Sequence, residues 1–342
     1  MPAESSSLPD WRRAFGSPIF QGLIKQSPSD FQVRELLGFS HSGDVEHDFL
    51  WVEKSGANTV WVARSLAKHA NVADRDVGYA GLKDRHALTQ QWFSVRRPSG
   101  TGTDWEDYSQ PGVKILESSR NQRKLKRGAN SANHFRIAIS GAAAHHELIS
   151  ERLEIIRVNG VPNYFGEQRF GRDGGNLELV RELFAGKRLK RDKRSIALSS
   201  ARSYLFNEIL QARVADDNWR QALPGEVLNL DGTGSVFTPN FIDDDLKARL
   251  ESLDLHPTGA LWGKGEPGSQ GKASEYDRNG AAKMPDLAAG LEKFGLSQAR
   301  RALRLNVREL SWEFDGDVVW LEFDLASGAF ATAVLRELVS YQ

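Results

Sequence analysis

Between residues 17 and 140 apolar side chains alternate with polar ones, or run unbroken at strand length, in FQGLIK, DFQVREL, DFLWVEK, QQWFSVRR, VKILES and HFRIAIS. That period predicts β-strands. One helix is expected among them from about Thr59 to Ala70, with Val60, Ala63, Leu66 and Ala67 as its apolar stripe and Asn58 as its cap. From about 145 to 300 the period becomes helical, in ELISERLEIIRV, NLELVRELF, SIALSSARSYLFNEILQARV, DDDLKARLESL and LSQARRALRL, broken by a hairpin signal at DGTGS. WGKGEPGSQGKASEYDRNG reads as a mobile loop. Strands return in VRELSWEF and DVVWLEFDL, and AFATAVLRELVS suggests a last helix.

Strand-rich, helical and strand-rich again is the order expected of a helical module inserted into an α+β domain whose sheet the C-terminal segment completes. Two domains in sequence are the alternative. With 342 residues, 40% hydrophobic and 26% charged, the chain is large enough for two cores. No run reaches the roughly 18 apolar residues of a membrane span, and MPAESSSLPDWRRAFG lacks a signal-peptide core, so a cytoplasmic protein with a loose arm is expected.

The absence of cysteine excludes disulfides, thiolate metal sites and cysteine nucleophiles. Lys plus Arg and Asp plus Glu are equal at 45 each, so any polyanion site must come from local clustering. Five basic residues lie in Arg120 to Arg127, six in Lys187 to Arg194, and a thinner group comprises Arg300, Arg301, Arg304 and Arg308. Segregated runs in a neutral protein point to a phosphate-binding face.

Other motifs fail. GEPGSQGKAS has Glu266 and Ala273 where a P-loop needs Gly and Ser or Thr, and no G-x-S-x-G occurs. His145-His146-Glu147 has no third metal ligand at useful spacing. Two stretches remain. In GYAGLKDRHALTQQWFSV a single acid, Asp84, follows Gly81, which can take a left-handed backbone, and an extended segment would turn Lys83 and Arg85 away from it. In NYFGEQRFG aromatics, glycines, Gln168 and Arg169 form either a packed turn or a hinge or RNA-contacting edge.

YAGLKDRHALTQQWFSV and GVPNYFGEQRFG, with SPSDFQVREL, RKLKRGANSANHF, KRSIALSSARSYLFNEI and SGAFATAVLREL, resemble the TruD family of tRNA pseudouridine synthases. Ala132 departs from the family pattern, in which Gly often precedes the Asn. The resemblance implies an α+β pseudouridine synthase catalytic domain with a mixed, largely antiparallel sheet, plus an inserted mainly helical α+β domain. The arm would cover 1–16, the catalytic domain 17–160 and 300–342, and the insertion 161–299. It implies isomerisation of a uridine to pseudouridine, at uridine 13 of the tRNA D arm, with no cofactor or metal. tRNA is the implied partner, and a monomer is expected.

Such a reaction breaks N1–C1′ and joins C5 to the same carbon, so no hydrolytic acid pair is needed. One ionised carboxylate can form an ester at C1′, stabilise a cation there, or take a C2′ proton. By position, the resemblance assigns catalysis to Asp84 with Lys25 as its cation. Phe31 would line the pocket, Asn133 would orient Asp84 or the base, and Phe135 and Phe330 would enclose the uracil. Arg123, Lys124, Lys126 and Arg127, with Lys190, Arg191 and Arg194, are the residues expected on the RNA backbone. Two other readings stand beside this one: a catalytically silent RNA-binding protein of the same fold, and a hydrolase using Asp84 with a second acid such as Glu35 or Glu46.

Overall fold

The computed structural model describes residues 8–43, 46–97 and 103–341. Strands β1 (Phe20–Ile24), β2 (Phe31–Leu37) and β3 (His47–Lys54) precede helix α1 (Thr59–His69) and strands β4 (Val77–Tyr79), β5 (Leu88–Arg96), β6 (Val113–Asn121) and β7 (Asn130–Ser140). Helix α2 (His146–Asn159) leads into β8 (Val161–Pro162), α3 (Gly175–Phe184), α4 (Arg191–Ala215), β9 (Leu228–Leu230) and β10 (Val236–Phe237). Then come α5 (Asp244–Glu251), β11 (Leu255–Leu261), α6 (Gly271–Ala282), α7 (Pro285–Lys293), β12 (Ala299–Ala302) and β13 (Arg304–Leu305). The chain closes with β14 (Arg308–Asp315), β15 (Val318–Ala326), α8 (Ala331–Leu335) and β16 (Val339–Tyr341).

These elements form two compact units. One holds Ile19–Ser150, Arg308–Gly328 and the chain from Val339; the other holds the chain up to Pro18, Glu151–Val307 and Ala329–Leu338. The first is built on a sheet ordered β14-β15-β7-β2-β5-β3-β6, with β4 on β5 and β1 joined to β7 and β16. Among the described residues only β1–β16 and β2–β5 of this sheet pair in parallel, so the sheet is mixed and largely antiparallel. The fold is α+β.

Strict alternation decides which face is buried. In β15, Val319, Leu321, Phe323 and Leu325 are sealed from solvent while their neighbours are half-exposed. Each such side chain contributes about 1.5–3 kcal/mol on burial. Register carries the same face across β7 and β2: Leu325, Phe323 and Leu321 stand opposite Asn133, Phe135 and Ile137, which oppose Glu35, Val33 and Phe31. Two polar residues, Glu35 and Asn133, therefore fall at core-facing positions. Helix α1 starts where Asn58 accepts from the Val60 amide and buries Val62, Ala63, Leu66 and Ala67 against Leu50, Val52 and Phe93.

The second unit is organised around α4, whose Ala201, Leu205, Phe206, Ile209 and Leu210 are buried among residues of α3, α6 and α7. Here several expectations give way. LSQARRALRL forms strands, with Ala299–Ala302 paired to β11 and Arg304 opposite Pro162 of β8. That pairing gives its arginines buried partners: Arg300 bonds Asp277 and Thr258, and Arg304 bonds His256 and the carbonyls of Leu250 and Leu255. Those two are internal struts, not a phosphate-binding face. Half of the supposed mobile loop is α6, because Gly280 lets the helix close on α4, where a Cβ would meet Ile209 Cγ1 at 2.3 Å. The last helix is one short turn followed by β16. Of the expected arm, residues 1–7 lie outside the described residues; beyond them Trp11 is 5% exposed, packs on Tyr164, Phe170 and Tyr204, and donates its indole N–H to Glu208 at 3.0 Å. An aromatic anchor therefore fixes a segment expected to be loose.

Candidate active site

Asp84 lies in an irregular segment between β4 and β5. Gly78 rather than Gly81 sets the approach: a Cβ at 78 would meet the Leu125 carbonyl oxygen at 2.3 Å and Ser94 Oγ at 2.7 Å, while one at 81 would meet nothing closer than 3.9 Å. Gly81 is not in the left-handed region. The segment is no strand, so Lys83 and Asp84 diverge by local turns. The His86 amide donates to Asp84 Oδ1 at 2.9 Å, closing an Asx turn, and Lys25 Nζ meets Oδ2 at 2.7 Å.

Lys25 follows β1 with φ of +58°, a conformation that costs a non-glycine residue about 1 kcal/mol. Its ammonium also sits 4.3 Å from the Phe31 ring centroid. Burial pushes the Asp84 carboxyl upward, but the Lys25 hydrogen bond, the His86 amide and the Lys25 charge outweigh it, holding the group below its ordinary 3.8. Asp84 is ionised at neutral pH and still partly open to solvent.

Phe31 and Phe135 contact edge to face at 6.3 Å, and Phe135 stacks on Phe323 at 5.5 Å. Asn133 is half-buried; its Oδ1 accepts from Lys83 Nζ at 2.6 Å. Among the described residues no hydrogen bond joins it to Asp84. Phe330 lies in the other unit, half-exposed, 6.0 Å from Phe165.

Sequence reasoning missed the frame beneath Asp84. Lys83 Nζ bonds Glu35 Oε1 at 3.0 Å, Glu35 Oε2 accepts from the Trp92 amide at 3.1 Å, and the Lys83 amide donates to Thr59 Oγ1 at 3.0 Å. Thr59 in turn bonds Gln91, whose amide reaches the Gly81 carbonyl. Glu35 is thus sealed and doubly occupied, so it cannot serve as the second acid of a hydrolase. Glu46 is exposed at the opposite end of β3 from Lys54.

Lys54, 1% exposed, donates to the carbonyls of Ala57 at 3.0 Å and Asp84 at 3.2 Å, tying the Asp84 loop to the start of α1. Burial, only partly offset by the Asp84 charge, pushes its ammonium down to about 8 from 10.5. Below pH 8 it is protonated folded or unfolded; between 8 and 10.5 the unfolded chain binds the extra proton, so this group's contribution to stability rises with pH. Wild type should gain about 2 kcal/mol of unfolding free energy relative to Lys54→Met between pH 7.5 and 9.5 in urea titrations. Parallel profiles would show that Lys54 is not held as described. The signal was in DFLWVEK, where lysine occupies the core-facing place after Leu50 and Val52.

The basic run before β7 loops back to this segment. Gly128 donates to the Ala80 carbonyl at 2.8 Å, Arg127 lies 3.8 Å over the Tyr79 ring and bonds its hydroxyl, and Lys124 bonds the Arg75 carbonyl. Arg123, Lys126 and Arg127 are exposed and Lys124 is half-buried. In the other unit Lys190 caps α4, and Lys190, Arg191 and Arg194 are exposed.

A carboxylate paired to a lysine, beside a wall of phenylalanine rings on a mixed sheet, has the chemistry to attack or to stabilise an electrophilic carbon. The family model described as tRNA pseudouridine synthase D (TruD) matches residues 13–184 and 183–338. A tRNA pseudouridine synthase D from Methylococcus capsulatus is 44% identical over 337 residues, covering 97% of this chain and 95% of the relative. One from Aeromonas salmonicida is 46% identical over 325 residues, covering 95% and 92%. A crystal structure of a putative tRNA pseudouridine synthase D from Methanosarcina mazei shares the fold, with TM-score 0.73 at 18% identity over 96% of this chain and 95% of that one. The chain belongs to the tRNA pseudouridine synthase D family.

Proposed function

We propose that this protein isomerises uridine 13 in the D arm of tRNA to pseudouridine, with Asp84 as the essential carboxylate. The observation that carries this reading is an ionised, solvent-reachable Asp84 paired with Lys25, in a family named for the reaction. Asp84 attacks or stabilises C1′ as the N1–C1′ bond opens; Lys25 keeps it charged while the substrate displaces water. Phe31 and Phe135 form the pocket wall for the base.

Lys83 fixes the Asn133 amide with its oxygen inward, which leaves the NH₂ to donate, and both uracil carbonyls are acceptors. Asn133 therefore orients the base rather than Asp84. The sheet-based unit is the catalytic domain and the α4-based unit the insertion. The protein works as a cytoplasmic monomer, with no cofactor in the chemistry. Among the described residues no helix is long and apolar enough to cross a membrane.

Pseudouridine mapping by adduct and primer-extension stop on an unmodified tRNA transcript tests the reading. A stop at uridine 13 is expected, and none anywhere, with binding intact, would leave the silent RNA-binding alternative. Arg123, Lys124, Lys126 and Arg127, with Lys190, Arg191 and Arg194, contact the RNA backbone in this reading. Reversing the charge of Lys190, Arg191 and Arg194 together should weaken tRNA binding and lower the slope of log K against log salt by about 2. An unchanged slope would remove those three from the interface.

A further inference from the structure

The turn after α2 opens a cavity inside the α4-based unit. Gly160 takes φ of +67°, and a Cβ there would meet the Leu305 carbonyl oxygen at 2.4 Å, so glycine is what lets the end of α2 close on β13. Between these elements, the segment after α4 and helix α5, a cavity of about 390 Å³ remains, its apolar wall made by Val158, Ala222, Ile242 and Leu250. That volume is at the small end of ligand pockets, roughly 300–1,000 Å³, and suits one nucleoside. Val158 is 64% exposed and Phe241, beside Ile242 in the chain, 72%, so large apolar side chains stay open to solvent here.

The charged groups of the cavity are mainly cations. Arg304, 4% exposed, is held in plane: Nε donates to His256 Nδ1 at 3.1 Å and Nη2 to the carbonyls of Leu250 and Leu255. Among the described residues no hydrogen bond takes up its Nη1, yet that atom is not sealed from solvent, so it opens onto the cavity that Arg304 lines. A strut of the fold thus leaves a fixed donor on the cavity floor. Arg220 and Lys247 line the same cavity, against one lining carboxylate, Glu251. The Arg220 guanidinium is set by the Trp219 ring, 5.6 Å away at its centroid, and by Asn159, whose Oδ1 accepts from Nη1. It faces Arg304: burial and then the Arg220 charge push the Arg304 cation down to about 10. Apolar walls, a fixed N–H and an excess of positive charge match the three parts of a nucleotide: base faces, a base acceptor and a phosphate.

We infer that this cavity receives one unpaired nucleotide of the bound RNA, its base against Val158, Ile242 and Leu250, an acceptor of that base on Arg304 Nη1, and its phosphate on Arg220 and Lys247. This rests on the tRNA pseudouridine synthase reading and adds to it a contact contained wholly within the α4-based unit. A paired base cannot enter, because its edge is occupied and its faces are stacked, so the cavity selects a loop over a helix.

The chain has no cysteine, so Val158→Cys introduces its sole thiol, and places it in the cavity wall. Alkylation of that thiol by iodoacetamide, timed with and without unmodified tRNA, reads whether the cavity is filled. With tRNA at about ten times its Kd the rate should fall about tenfold. Adding Arg220→Met should remove most of that protection, with tRNA still saturating, and lower the salt slope of tRNA binding by about 1. Lys247 is largely exposed, so Lys247→Met makes the same test if Arg220→Met fails to fold. Unslowed alkylation under saturating tRNA, or protection that survives both substitutions, would overturn the site. Uridine or guanosine 5′-monophosphate alone should protect only at millimolar concentration; protection at micromolar concentration, with none from tRNA, would assign the cavity to a free nucleotide and overturn the RNA proposal. Wild-type tRNA binding and pseudouridine formation, measured alongside, separate the outcomes: their presence without protection sinks only this site, and their absence sinks the functional reading as well.

Discussion

Asp84→Asn protein should bind tRNA within about threefold of wild type and form pseudouridine at least about a thousandfold more slowly. The amide keeps the size of the carboxylate and can still accept from the His86 amide, but it cannot form the ester or offset positive charge at C1′. The loss would be chemical rather than structural, because both partners of the Lys25–Asp84 pair are about one-third exposed and such pairs stabilise by about 0–1 kcal/mol. Equal thermal midpoints with single-turnover rates a thousandfold apart would carry the point; a midpoint lowered in step with the rate would shift Asp84 to a structural role. The direction of the Asp84 shift adds a pH test. A carboxyl held below its ordinary value stays ionised down through pH 5, so single-turnover rates should show no acid limb from Asp84 between pH 5 and 8.

Much of this site was legible because chemistry and pattern agreed. The strands from FQGLIK to DVVWLEFDL follow period-two alternation, and register then places Phe31 and Phe135 on one face. Lys25 could be matched by position, yet nothing local gives its left-handed backbone, since that depends on the loop after β1 meeting Asp84 across 59 residues. LSQARRALRL shows the converse. Its apolar spacing suits a helix, but buried acceptors around Arg300 and Arg304 reward strand pairing, a tertiary gain that periodicity does not contain. The polar frame under Asp84 was hidden for a related reason. Glu35 and Gln91 become informative only when register turns each toward the core, and Thr59 only when the first residue of α1 meets Gln91.

That frame yields the second large effect. The Glu35 side chain is fully sealed and Lys83 is 7% exposed, so removing either partner strands the other charge in the core. Glu35→Leu or Lys83→Met should each destabilise the sheet-based unit by about 3–5 kcal/mol, far above the cost of losing an exposed pair. Glu35→Leu combined with Lys83→Met leaves no orphan charge and should recover at least half of the larger single loss, a coupling that a double-mutant cycle in urea reads directly. Recovered stability does not restore the site, because Lys83 also holds the amide of Asn133 on β7, the residue proposed to orient the base. The double variant should therefore fold and bind tRNA while its single-turnover rate stays at least about tenfold below wild type. Additive losses in the cycle would mean the two charges are not a coupled pair, and a fully restored rate would mean the frame supports the fold without positioning Asn133.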